Sequence, residues 1–306
     1  MPSFKSQAFN FIIRNRHLLR GKLHKEVFES EDAILPFREM CEKGTVRPSS
    51  LPAGISVREE VIEGINSEWI SPKGTSTEKI IMYVHGGGYV SGSCNDHRAF
   101  VAKFAEYCGY TCLVYEYGIA PENPYPAAIE DSVKVYRWLL ANGYKPENIL
   151  IAGESAGGGL CLAILLKLKE LNINQPIAAV AISPWTDLTC SSESYKSKNK
   201  VSVAPLNSWF IFGKAYYCNN NPENPFISPL FGDLTGLPPI FINAGTDDEL
   251  YDDGKRFYTK AKKSGVDATF RSGVGMIHCY PFFAPFFKEA TEAMTEISEF
   301  VKKQLR

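Results

Sequence analysis

The chain has 306 residues, 44% of them hydrophobic and 22% charged, with a formal net charge of -1. This balance excludes a disordered chain, and it gives no support for a nucleic-acid partner, which needs clustered lysine and arginine. The length suits one large α/β domain or two small ones and is ample for a large buried core.

The first 45 or so residues read as helical and charged, with Phe9, Ile12, Ile13 and Leu19 spaced for one face. Arg14, Arg16, Arg20, Lys22 and Lys25 form a small basic cluster, expected to be the solvated face of an N-terminal helix. The apolar run Phe9 to Ile13 is cut at once by Arg14 and Arg16, which is unlike a secretory leader. No apolar run approaches the roughly 20 residues of a membrane span, so no stable membrane insertion is expected. The eight cysteines are irregularly spaced and form no CxxC pair. Free thiols in a reducing compartment, and hence a cytoplasmic location, are the expectation.

Pro48, Pro52 and Gly54 break the helical pattern. Ile55, Val57 and Val61 then share one parity and Ser56, Arg58 and Glu60 the other, as in a strand with one wet face, although Glu59 falls on the apolar side. Unbroken apolar runs of strand length follow at Ile80–Val84, Thr111–Tyr115, Ile149–Ala152, Ile177–Ile182 and Ile240–Ala244. Such runs suit strands buried on both faces of a parallel sheet. Helical patterns lie between them at Asp96–Tyr107 and Ala127–Asn142, with Gly109 and Gly143 as stops, and at Ser155–Leu171, which is apolar almost all round. The alternation predicts an α/β fold with a mostly parallel, doubly wound sheet and helices on both faces. Ser191–Asn224 breaks the rhythm. It is too long for a plain connection and carries Trp209, Phe210, Phe212, Tyr216 and Tyr217. It is read, with the N-terminal helices, as a cap over a site at the strand ends. The expected organisation is an N-terminal cap segment over 1–50 and a catalytic domain over 51–306 with a cap insertion at about 191–224.

The strongest chemical signal is Gly153-Glu154-Ser155-Ala156-Gly157, which follows an apolar run and opens a helical pattern. That is the setting of a nucleophile elbow, where a strained turn needs glycine neighbours. Upstream, His85-Gly86-Gly87-Gly88 also ends an apolar strand. Its glycines leave backbone N–H groups unshielded, and such donors hold the oxyanion of a tetrahedral intermediate. A serine nucleophile needs a base. Of His17, His24, His85, His97 and His278, only His278 follows Ser155 in the chain, as the order serine, acid, histidine requires. The acid belongs after the strand Ile240–Ala244, in Gly245-Thr246-Asp247-Asp248. Asp247 is the expected acid and Asp248 the alternative. Glu249, Asp252 and Asp253 are expected to line the start of the next helix, where carboxylates suit the dipole.

At these residues the sequence resembles the hormone-sensitive-lipase-like esterases, an α/β-hydrolase family. The matching segments are His85–Tyr89 (HGGGY), Ala120-Pro121-Glu122, Pro124–Asp131 (PYPAAIED), Gly153–Gly158 (GESAGG), Ser183–Leu188 (SPWTDL) and the stretch Gly245, Asp247, Leu250, Asp253. The resemblance implies an α/β-hydrolase fold and a carboxylesterase with Ser155 as nucleophile, Asp247 as acid and His278 as base. It implies oxyanion donors at Gly87, Gly88 and Ala156, with Gly86 shaping that oxyanion-hole loop. Short- to medium-chain esters, no metal and no cofactor follow from it too. Asp248 stands where many members carry proline, and Cys279-Tyr280 where many carry Gly-Phe. Asp187 is expected to tie the cap hinge. The aromatic cap, with Tyr89 and Phe210, is expected to bind an apolar part of a small-molecule ester. An amide or formamide deacylase with the same triad, and a non-catalytic small-molecule receptor on the same fold, are the alternatives. The amphipathic pattern from Phe286 to Leu305 is expected either to pair two copies as a homodimer or to pack on its own sheet.

Overall fold

The computed structural model describes residues 2–19, 21, 23–43 and 51–306. Arg20, Lys22 and Pro48 lie outside them. An eight-stranded sheet runs β1 (Ile55–Ile62), β2 (Ile65–Pro72), β4 (Thr111–Tyr115), β3 (Ile80–Val84), β5 (Ile149–Glu154), β6 (Ala178–Ile182), β7 (Ile240–Gly245) and β8 (Ala268–Gly273) in spatial order. β1 and β2 form an antiparallel hairpin, β2 pairs antiparallel with β4, and the pairs from β4 to β8 are parallel. The order steps outward in both directions from β3, as a doubly wound sheet does.

Each central strand feeds two cores, because successive side chains point to opposite faces. Ile80, Met82, Val84, Ile149 and Ile151 enter one core; Ile81, Tyr83, Leu150 and Ala152 enter the other. This is why these strands read as unbroken apolar runs. Helices α1 (Phe4–Arg14), α2 (Arg16–Leu19) and α3 (Ile34–Lys43) precede the sheet. On one face lie α4 (Cys94–Cys108) and α10 (Lys288–Gln304); on the other lie α5 (Ala127–Ala141), α6 (Ala156–Glu170) and α9 (Tyr251–Lys263). Gly109, the expected stop of α4, sits left-handed at φ 74°. The apolar face of α10 (Ala290, Met294, Ile297, Val301) is taken up by the core beneath it.

The hairpin strand β1 departs from a single wet face. Ile55 and Val57 pack on one core and Ile62 on the other, while Val61 is exposed. Along its length the strand changes the face it buries, which explains why Glu59 broke the alternation. Strands β2 and β8 were not marked by an apolar run, because polar residues interrupt both (Asn66, Ser67, Glu68; Arg271, Ser272).

The two segments outside the sheet meet each other. The insertion contains α7 (Ser194–Ser197) and α8 (Ser208–Tyr217). Val27 bridges to Leu206, with Phe28 N–H donating to Leu206 O at 2.9 Å and Leu206 N–H to Glu26 O at 2.8 Å. Phe28 and Phe37 both pack their rings on Phe212 of α8, with centroids 5.5 and 5.1 Å away. The eight cysteines are free thiols. Among the described residues no helix is long and apolar enough to cross a membrane.

Candidate active site

The turn from β5 into α6 carries Ser155 at φ 57° and ψ -123°, a positive-φ conformation that a non-glycine residue rarely holds. Its neighbours explain how the turn is tolerated. A Cβ on Gly153 would stand 2.4 Å from Gly157 O, and one on Gly157 would stand 2.2 Å from both Val84 O and His85 O. Neither position has room for a side chain. Ser155 O accepts hydrogen bonds from Gly159 N–H and Trp185 N–H, at 3.1 and 3.0 Å, which pins the elbow to α6 and to the segment after β6. Ala156 opens α6, so its N–H belongs to the helix's first turn, where intrahelical acceptors are lacking.

His278 lies in the loop after β8, and its Nδ1 donates to Asp248 Oδ2 at 2.7 Å. The second oxygen, Asp248 Oδ1, accepts from Leu250 N–H at 3.1 Å, and Asp248 is fully buried. The carboxylate is therefore clamped at both oxygens. Burial pushes the His278 imidazole down, but the Asp248 charge, then the neighbouring Cys279 and the Asp248 hydrogen bond, outweigh it and lift the ring well above its ordinary range.

Asp247, the expected partner of His278, points elsewhere. Its Oδ2 meets Arg14 Nη2 at 2.5 Å and its Oδ1 lies 3.6 Å from Lys198 Nζ. The cause is the backbone of the turn. Thr246 N–H donates to Gly273 O and Asp247 N–H to Met276 O, at 2.8 and 2.9 Å, so the turn is bonded to the loop that carries His278. With the turn held there, the side chain of residue 247 faces α1 and the insertion, and that of residue 248 faces the imidazole. Asp253 stands in the first turn of α9, as expected. It is fully buried and accepts from Thr186 N–H and Asp187 N–H at 3.1 and 2.9 Å. Asp187 itself binds Arg256 and the hydroxyls of Thr189 and Ser191, which ties the start of the insertion to α9, away from His278.

The glycine loop after β3 is bent by Gly87 at φ 108° and Gly88 at φ 66°. Gly87 O accepts from Val90 N–H, Ser91 N–H and the Ser91 hydroxyl, which holds the turn closed. No acceptor among the described residues stands opposite the N–H groups of Gly87 and Gly88. Gly86 differs: its N–H donates to Glu154 Oε1 at 2.6 Å. With its N–H engaged there, Gly86 is no donor to an oxyanion, in keeping with the loop-shaping role expected of it.

Ser155, His278 and the three loop glycines line one cavity of about 300 Å³. Its walls are aromatic: Phe37, Phe100, Trp209, Phe212, Phe282 and Phe283. Tyr89 and Phe210, the residues expected at the substrate, do not line it. Tyr89 is buried behind the loop, its ring stacked 3.8 Å from that of Tyr216. Phe210 is 52% exposed. On a helix of 3.6 residues per turn, Trp209, Phe212 and Tyr216 share the inner face of α8 and Phe210 points out. Phe37, Phe100, Phe282 and Phe283 come from three distant parts of the chain, and no spacing linked them. The run Pro281-Phe282-Phe283, so soon after His278, was the one available signal.

The chain has relatives among known proteins. A family model described as alpha/beta hydrolase fold matches residues 81–282. An esterase of Acinetobacter venetianus is 36% identical over 252 residues, covering 80% of this chain and 82% of that protein. An acetyl-hydrolase of Streptomyces hygroscopicus is 35% identical over 77% of this chain and 79% of its own. The crystal structure of an esterase from the bacterial hormone-sensitive lipase family superposes with a TM-score of 0.88 at 33% identity, covering all of both chains.

Proposed function

Because the chain belongs to the α/β-hydrolase fold family, and within it to the hormone-sensitive-lipase-like esterases, we propose that it is a serine carboxylesterase acting through Ser155, His278 and Asp248. The observation that carries this reading is the His278–Asp248 hydrogen bond in the pocket that also holds the strained Ser155. Asp248 keeps the Nδ1 proton of the ring in place, which leaves Nε2 free to act as base. Ser155 Oγ attacks the ester carbonyl carbon, and its proton passes to Nε2. The carbonyl oxygen, now an oxyanion, receives the N–H groups of Gly87, Gly88 and Ala156. As the intermediate collapses, the alcohol leaves with the proton from His278. Water then repeats the sequence on the acyl-enzyme and releases the acid.

The aromatic walls suit an apolar acyl or alcohol group, and a cavity of about 300 Å³ suits short to medium acyl chains. The N-terminal helices and the 191–224 insertion serve as its cap. The names of the relatives, esterase and acetyl-hydrolase, support ester hydrolysis with a small acyl group. The test is p-nitrophenyl butyrate hydrolysis by the wild type and by Ser155→Ala. Turnover by the wild type and near-background rates in the variant are expected. An inert wild type, or a variant that keeps its rate, sinks the assignment.

A further inference from the structure

Glu154 takes no part in the chemistry above, yet its buried carboxylate is heavily bonded. Its Oε1 accepts from Gly86 N–H at 2.6 Å and lies 3.2 Å from His97 Nε2; its Oε2 accepts from the Tyr83 hydroxyl at 2.5 Å. His97 stands at the pocket wall between two carboxylates, with Nδ1 bonded to Asp96 Oδ1 and Nε2 facing Glu154. Asp96 is itself locked in a capping box with Ser93 at the start of α4. Both ring nitrogens therefore meet acceptors, which is the pattern of an imidazolium. Burial pushes His97 down, but the hydrogen bonds to Asp96 and Glu154 outweigh it and raise the ring to about 10. The neighbouring His85, its ring centroid 5.1 Å away, is the opposite case. Burial and the His97 charge push it down to about 4, and its Nδ1 donates to Gly86 O at 2.8 Å as a neutral ring.

The glycine loop lies directly on the elbow. A Cβ on Gly86 would stand 3.0 Å from Glu154 O and 3.2 Å from Ser155 Cβ. The bonds to Gly87 O shape the loop within itself; the bond from Gly86 N–H to Glu154 sets its height above the nucleophile. We infer that Glu154 and His97 are a positioning pair that holds the Gly86–Gly88 loop where its N–H groups meet the oxyanion formed at Ser155. A buried carboxylate is costly unless paired. The His97 ring, with Nε2 3.2 Å from Oε1, supplies that partner, and a charge-assisted hydrogen bond holds an N–H more strongly than a neutral one. This deepens the esterase reading and rests on it.

The test compares wild type, Ser155→Ala, Glu154→Gln and His97→Gln. For each, kcat and KM are measured with p-nitrophenyl butyrate, and Ki with a trifluoromethyl ketone. The ketone adds Ser155 Oγ at its carbonyl carbon, the serine proton goes to His278, and an oxyanion is left in the loop. Loss of one donor costs about 10²–10³ in rate, so a loosened loop is expected to cost roughly 10–10². We expect kcat to fall by that factor in both Gln variants with KM within about threefold. The ketone Ki should rise in step with the fall in kcat/KM. Unchanged kcat and Ki in Glu154→Gln overturn the pair. So does a loss confined to KM, or a fall in kcat with Ki unmoved. If His97→Gln does not fold, the isosteric Glu154→Gln decides, with Tyr83→Phe, which removes one donor to Glu154, as a milder variant expected to move kcat and Ki together. An inert wild type would instead sink the esterase reading, so the two failures are distinguishable.

Discussion

Asp248→Asn and Asp247→Asn separate two adjacent carboxylates that sequence reasoning could not rank correctly. In Asp248→Asn the side-chain oxygen keeps the Leu250 N–H bond and the amide NH₂ turns to His278 Nδ1. Two donors then face each other unless the imidazole moves its proton to Nε2. That tautomer cannot take a proton from Ser155. The corresponding substitution in the chymotrypsin-type triad costs about 10⁴ in kcat, or about 5 kcal/mol, and a similar loss is expected here. Asp247→Asn loses only partly exposed ion pairs with Arg14 and Lys198, worth about 0–1 kcal/mol, so kcat should stay within a few-fold. The pH profile gives a second reading. His278 must be neutral to act as base, and its ring is lifted well above the ordinary range by Asp248. Activity should therefore fall away, as pH drops, above the pH typical of a free imidazole. In Asp248→Asn the largest lifting charge is gone and burial remains, so the acid limb of the residual activity should move to lower pH. Kinetics with p-nitrophenyl butyrate across pH measure both. A 10⁴ loss in Asp247→Asn with Asp248→Asn nearly intact would refute the assignment.

Two further substitutions probe the frame and the wall. Gly157→Ala places a methyl 2.2 Å from two backbone oxygens of β3 and the glycine loop, neither of which can give way, so little folded protein is expected on expression; a Gly157→Ala variant that is soluble and active would contradict the packing described. Phe212→Ala removes the ring on which Phe28 and Phe37 pack and enlarges the cavity. Stability measured by urea unfolding should fall by about 3 kcal/mol, and a series of p-nitrophenyl esters should show the optimum moving to longer acyl chains. An unchanged acyl-chain profile would remove Phe212 from the specificity wall.

Much of this was legible in the chain. The apolar runs marked five parallel strands because strands buried on both faces carry no polar alternation. Ser155 and the glycine loop were legible because their geometry demands particular residue types: the strained turn at Ser155 excludes Cβ atoms on Gly153 and Gly157, and free N–H groups need glycine. His278 was legible because chain order left no other histidine after Ser155.

Three features were decided only by tertiary structure. Which of two adjacent aspartates meets His278 depends on hydrogen bonds from Thr246 and Asp247 to residues 273 and 276, about 30 positions away. Which aromatics line the pocket depends on helix phase and on three chain segments brought together, so Phe282 faces the cavity and Tyr89 stacks behind it. Glu154 lay within the recognised motif but gave no hint of its bonds to Gly86, Tyr83 and His97. The division has a physical cause. Backbone strain and nucleophile chemistry restrict which residue can stand at one position, so they are written locally. The direction of a side chain and its charge partner are set by contacts between segments far apart in the chain, and these exist only once the sheet has formed.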